Sequence, residues 1–174
     1  NGIIAAPALS WIYDNNWHHI AMTWKKNQQF TAYFDGAFIQ QRAAGANPLP
    51  SFDIECYLGS YLGISEFLNG SLDEVRIWTT ARTQAQIIDG MSCNFQDTSG
   101  LLMRFKFDHA IANGSNSANN ILANQTSNNN VYGILRNFAL NSTTSNWVNG
   151  KPGASLTHKI YVDSSKAVSG NGSS

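Results

Sequence analysis

Two histidines in succession, His18-His19, and an adjacent acidic pair, Asp73-Glu74, are where this sequence could do chemistry. Imidazoles bind metals and move protons, but neighbouring residues of a strand face opposite sides of a sheet, so His18 and His19 on one strand could not chelate a single ion together. A carboxylate pair can hold calcium, act as acid and base, or pair with arginines such as Arg76 and Arg82. On a strand Asp73 and Glu74 would also point apart and could not jointly flank a glycosidic bond. A hard cation asks only for several oxygens from loops, so Asp73 is the candidate metal ligand and calcium the candidate ion. Cys56 and Cys93 make an even count, which permits one disulfide in an oxidising setting and two buried thiols in a reducing one. Neither has the close Cys or His neighbour of a zinc knuckle. Trp17, Trp24 and Trp78 could stack on sugar rings, although large aromatics more often fill a core.

The composition narrows the partners. Formal charge is zero over 174 residues, with only 13% charged side chains, and the sequence pI is near 7.1. Nothing is in excess to neutralise phosphates, so nucleic acid is a poor partner, and no apolar run approaches the roughly 20 residues that span a bilayer, so membrane insertion is not expected. Abundant Asn, Ser, Thr and Gly keep a surface soluble through neutral hydrogen-bonding groups, a usage that suits secreted β-proteins. The expected location is extracellular or at a cell surface.

The elements that must position these residues read as strands. Ile20, Met22 and Trp24 alternate with Ala21 and Thr23, and Phe30, Ala32 and Phe34 with Thr31 and Tyr33, which is period two. Asp35-Gly36 between alternating runs is a strong hairpin signal. Past Pro48 and Pro50, residues 54–60 and 72–78 read as further strands. Thr83-Gln84-Ala85-Gln86 has capping-box spacing before Ile87-Ile88 and predicts one short helix ending near Gly90. Leu101, Met103, Phe105 and Phe107 share a face of another strand. Residues 110–130 are Asn- and Ser-rich, with few large apolar groups to offset their ordering entropy, and read as a long loop. Residues 131–138 recover strand character, Trp147-Val148 reads as a last anchor, and 159–163 as one isolated strand. The Ser- and Gly-rich end reads as flexible.

Trp17-His18-His19-Ile20-Ala21, Tyr33-Phe34-Asp35-Gly36, Tyr57-Leu58-Gly59-Ser60, the run from Phe67 through Asp73-Glu74-Val75-Arg76-Ile77-Trp78, and Ala81-Arg82-Thr83 with Gln86-Ile87 together resemble the C-terminal half of a laminin-G-like, concanavalin A-like (pentraxin-like) jelly roll. Leu101 to Gly150 resembles the tail that follows such domains in surface proteins of Bacteroidetes-like bacteria. The resemblance implies an all-β fold, an antiparallel β-sandwich (jelly roll) with one short helix. It divides the chain into the sandwich part at 1–95, an appended β tail with an Asn-rich loop at 96–150, and a linker toward a further module at 151–174. Such domains carry strands ahead of the Trp-His-His segment, so either those strands belong to a preceding part of the protein or the strands from Leu101 and Val131 replace them. The implied function is a non-catalytic extracellular binding or adhesion module for a glycan or surface ligand, working beside other domains or chains of the same large protein. The related glycan-cleaving jelly rolls carry three carboxylates on one strand face, a cluster lacking in this sequence, which leaves glycoside hydrolase as the remote alternative and a ligand-free structural spacer as the nearer one. If closed as in that family, the fold brings Cys56 and Cys93 toward one edge.

Overall fold

The computed structural model describes residues 14–44, 56–92, 95–127, 130–136, 138–141 and 145–149, and the backbone of 158–162. The chain divides into two compact units, residues 1–51 with 80–99 and residues 52–79 with 100–174. The described residues are all-β, antiparallel in every pairing, with one short helix among them, which is the class expected of a jelly-roll sandwich.

In the first unit β1 (Ile20–Lys25), β2 (Gln29–Phe34) and β3 (Ala37–Ala43) form a three-stranded meander in that order. The β2–β3 turn is the predicted Asp35-Gly36, with φ of 47° and 76°, both positive as a tight type I′ hairpin turn requires. Gly36 is needed on a second count: a Cβ there would lie 2.7 Å from Ile88 Cγ1. Ile88 belongs to α1 (Gln84–Gly90), capped as predicted, since Thr83 accepts the Gln86 amide while the Gln86 side chain accepts the Thr83 amide. The helix is pinned to the turn by Gln84 Nε2 donating to Gly36 O at 2.9 Å. Period two in β1 marks a strand but not a buried face, because Ile20 and Met22 are 61% and 64% exposed. Trp17, Trp24 and Trp78 are each half-buried, and among the described residues the wholly buried tryptophan is Trp147, at 0% exposure.

The second unit contains β4 (Gly70–Leu72), β5 (Val75–Trp78), β6 (Leu101–Phe105), β7 (Ile121–Ala123), β8 (Tyr132–Ile134), β9 (Trp147–Asn149) and β10 (His158–Val162). β5 pairs with β6, β7 with β8, and β10 lies between β4 and β9. The strand expected to stand alone at 159–163 is thus a central, doubly paired one over residues 158–162. Of the two alternatives for partnering, the strand from Leu101 does pair with a strand of the family-like segment. The run predicted as one strand over 72–78 is two strands belonging to different sheets, because Glu74 takes a positive φ of 51° and breaks the ladder between them. Residues 56–60 form no strand, and 54–55 lie outside the described residues.

Phe105, Phe107, Ala110, Leu122, Leu135, Phe138 and Trp147 make the core of this unit, with Leu58, Leu72, Val75, Met103 and Leu140 packed against it. The Asn-rich stretch read as a loop is therefore structural, supplying Ala110, Leu122 and strand β7. Its asparagines offset the cost of ordering because a carboxamide offers both a donor and an acceptor and so substitutes for a peptide group. Asn116, 2% exposed, accepts the Ile111 N–H at 2.7 Å and donates to Ile111 O at 2.8 Å, while its own N–H donates to Leu140 O. Asn146 Oδ1 accepts the Ala139 N–H while the Asn146 backbone N–H donates to Ala139 O, and Asn124 accepts the Arg104 N–H along the edge of β6.

Candidate functional site

In the first unit the Trp-His-His and Asp-Gly segments meet. His18 and His19 precede β1 rather than lying on it, so the strand argument about their faces does not apply. His18 Nδ1 is 2.8 Å from Asp35 Oδ2 and its Nε2 is 3.0 Å from Asp14 Oδ1, with the Phe34 ring centroid 4.6 Å from the imidazole. Asp35 also exchanges bonds with His19: Oδ1 accepts the His19 N–H at 2.8 Å, and the Asp35 N–H donates to His19 O at 2.8 Å. Asp14 accepts both the backbone and the side-chain N–H of Asn16. These hydrogen bonds set the protonation. Asp35 first and Asp14 second hold His18 above the usual imidazole range. The Asn16 donors, then His18, pull Asp14 down to about 2. Burial pushes Asp35 up, but the His19 amide and the His18 ring together bring it below the usual carboxylate range. Both ring nitrogens are occupied by carboxylates, so the ring has none left to activate a nucleophile.

In the second unit Asp73 and Glu74 serve different ends. Asp73 is half-buried and its Oδ1 accepts the Glu74 amide at 2.9 Å. Glu74 receives Arg104 through both carboxylate oxygens, at 3.0 and 2.9 Å, and Arg76 Nε at 3.1 Å. Arg76 and Arg104 face each other across β5 and β6, so Glu74 separates two like charges that the register would otherwise oppose. Arg82, the other arginine considered beside Asp73, donates to Asp97 at 2.7 Å. Among the described residues no three His, Cys, Asp or Glu side chains assemble as metal ligands. Cys56 is an exposed thiol, and Cys93 lies outside the described residues.

Sequence reasoning missed Asp14 and Asp35 as partners of His18, and Arg104 as the partner of Glu74. The first had a legible signal in the i,i+4 spacing of Asp14 and His18 and in the fixed place of Asp35 at the hairpin turn. Arg104 is 30 residues from Glu74 and only the register brings it there. The second unit also has an open depression of about 260 Å³ lined by Ile121, Ala123, Asn124, Val131 and Tyr132. Tyr132 there is 56% exposed.

Antiparallel sheets, a two-residue hairpin turn locked to the Trp-His-His segment and a capped helix docked on that turn define a domain of the β-sandwich class. Residues 3–88 match the laminin G family model described as the concanavalin A-like lectin/glucanases superfamily, and this stretch, about half of the chain, belongs to that superfamily. The matched stretch contributes residues to both units. No curated protein and no solved structure matches the chain. Among the described residues no helix is long and apolar enough to cross a membrane.

Proposed function

We propose that this chain is a non-catalytic extracellular module that binds a glycan or other surface ligand within a larger surface protein. Superfamily membership over residues 3–88 carries the reading. Binding without cleavage is supported by how four of the carboxylates are used: Glu74 is held by two guanidinium groups, Asp97 by Arg82, and Asp14 and Asp35 by His18. Glycoside hydrolysis needs two carboxyl groups free to face one bond. The exposed ring of Tyr132, beside the depression over β7 and β8, is the place to look for a sugar face, since sugar C–H groups stack on aromatic rings and open, partly apolar hollows suit them.

A panel of polysaccharides, assayed by calorimetry with calcium and with chelator, tests this. Binding to at least one member without release of reducing ends, and weakened by Tyr132→Ala, is the expected result. Reducing sugar that disappears on changing one carboxylate would make the protein a hydrolase, and no binding to any member would favour the spacer reading.

A further inference from the structure

The Asp14, His18 and Asp35 cluster plays no part in glycan binding as proposed, and its hydrogen bonds pose a counting problem. A neutral imidazole has one N–H and one lone pair, whereas an ionised carboxylate can only accept. His18 presents both ring nitrogens to carboxylate oxygens, at 2.8 and 3.0 Å, so the two bonds coexist only when the ring carries two protons. We propose that His18 is a proton-operated clasp that ties the turn at Asp14 to the β2–β3 hairpin when protonated and releases Asp14, but not Asp35, when it loses a proton.

The two arms are built unequally, which decides the one that opens. Asp35 is fixed from a second side by the His19 N–H, and its own N–H is fixed by His19 O, so it stays in place whatever the ring does. Among the described residues the partners of Asp14 apart from His18 are the donors of Asn16, two residues away in the same turn and so able to move with it. A neutral ring therefore keeps Nδ1–H on Asp35 and turns the lone pair of Nε2 toward Asp14, where carboxylate and lone pair repel. Phe34 lies against the ring at an interplanar angle of 30° and holds its plane in either state, with a further attraction for the cation. The charged groups acting on His18 are Asp35 from the hairpin turn and Asp14 from the segment ahead of β1, while His19 acts on Asp35. The clasp is closed below the elevated titration point of His18 and opens as pH rises through it, so the chain's entry into β1 is firm on the acid side of that point and loosens on the other.

The test is an NMR titration of the whole chain, following the ring nitrogens of His18 together with the backbone and side-chain amides of Asn16. The expected result is a His18 midpoint above that of a free histidine, with the Asn16 signals moving at the same midpoint while the His19 amide holds. Asp14→Asn, an exposed and isosteric change, is expected to lower the midpoint and abolish the Asn16 response; Asp35→Asn is expected to lower it further. The proposal is overturned if His18 titrates like a free histidine, if Asp14→Asn leaves its midpoint unmoved, or if the Asn16 signals ignore the titration of the ring.

Discussion

The hairpin sheet of the first unit and the tail of the second are both antiparallel and both poor in charge, yet they are held by different means. In β1 to β3 the side chains with less than a tenth of their surface exposed are small, Thr31 and Ala32, and order is imposed at the ends of the strands by the Asp35-Gly36 turn, the His18 clasp and the capped helix. In residues 101–149 large rings are sealed inside, Phe107 at 2% and Trp147 at 0% exposure, and carboxamides take the place of missing ladder partners. The difference teaches that the stretch with the recognisable motifs and the stretch with the tightest core need not coincide. Motif residues here build turns and polar clasps. The core of the second unit takes two of its seven buried residues, Ala110 and Leu122, from a segment that, by composition, looked unable to fold.

That contrast is sharpened first by truncating rings. Trp147→Ala is expected to cost about 3–5 kcal/mol, since it removes the most buried side chain and opens a cavity between His109 and Phe138, whereas Trp24→Ala at a half-buried site should cost clearly less. Urea unfolding of both variants measures the gap. Equal costs would mean that the hairpin sheet holds more of the stability than its burial shows.

Next is Glu74→Ala, expected to cost about 3 kcal/mol because it leaves Arg76 and Arg104 opposed across the ladder with their carboxylate gone. Melting of Glu74→Ala beside the double variant Glu74→Ala, Arg104→Met checks it, and the second change should restore part of the loss. Asn116→Ala is expected to cost about 2 kcal/mol, since the Ile111 N–H and C=O lose their buried partner. If chemical denaturation shows no loss there, the peptide-mimic account of the Asn-rich stretch fails.

The two units also carry histidines of opposite sign. Burial lowers the pKa of His109, whose ring meets Trp147 edge-on at 4.9 Å, so the folded state resists a proton that the unfolded chain accepts near 6.5. Its share of stability is present above 6.5 and is lost as pH falls through the depressed value. His18 is raised, so its share is full below 6.5 and is lost as pH rises through the elevated value. Stability measured against pH is expected to lose its acid-side fall in His109→Gln and its alkaline-side fall in His18→Gln. The same side affected by both changes would contradict the opposition.

Much of the fold was legible where a local rule has a single reading. Asp-Gly between alternating runs, and Thr83 three residues ahead of Gln86, specify turn and cap through backbone geometry that few residue types satisfy. Alternation located β1 and β6 equally well, but it named the buried face only for β6, because which side of a strand is covered depends on what packs there, as the exposed Ile20 and Met22 show. The break at Glu74 was illegible, since a positive φ at a glutamate has no signature in composition. The role of the Asn-rich stretch was hidden for a related reason: whether an asparagine solvates a loop or completes a ladder is decided by long-range partners, Leu140 for Asn116 and Leu102 for Asn124. For the site, His18 was singled out but its two carboxylates were not, because one lies across a hairpin.

The central contrast is tested most directly by native-state hydrogen exchange on the whole chain, resolved by residue. The amides of Asn113, Asn116 and Asn146, which donate to Trp147 O, Leu140 O and Ala139 O, are expected to exchange more slowly than those of β1 and β2 and to approach the global unfolding limit. Protection that is instead greatest in the hairpin sheet, with these asparagine amides exchanging early, would contradict the account.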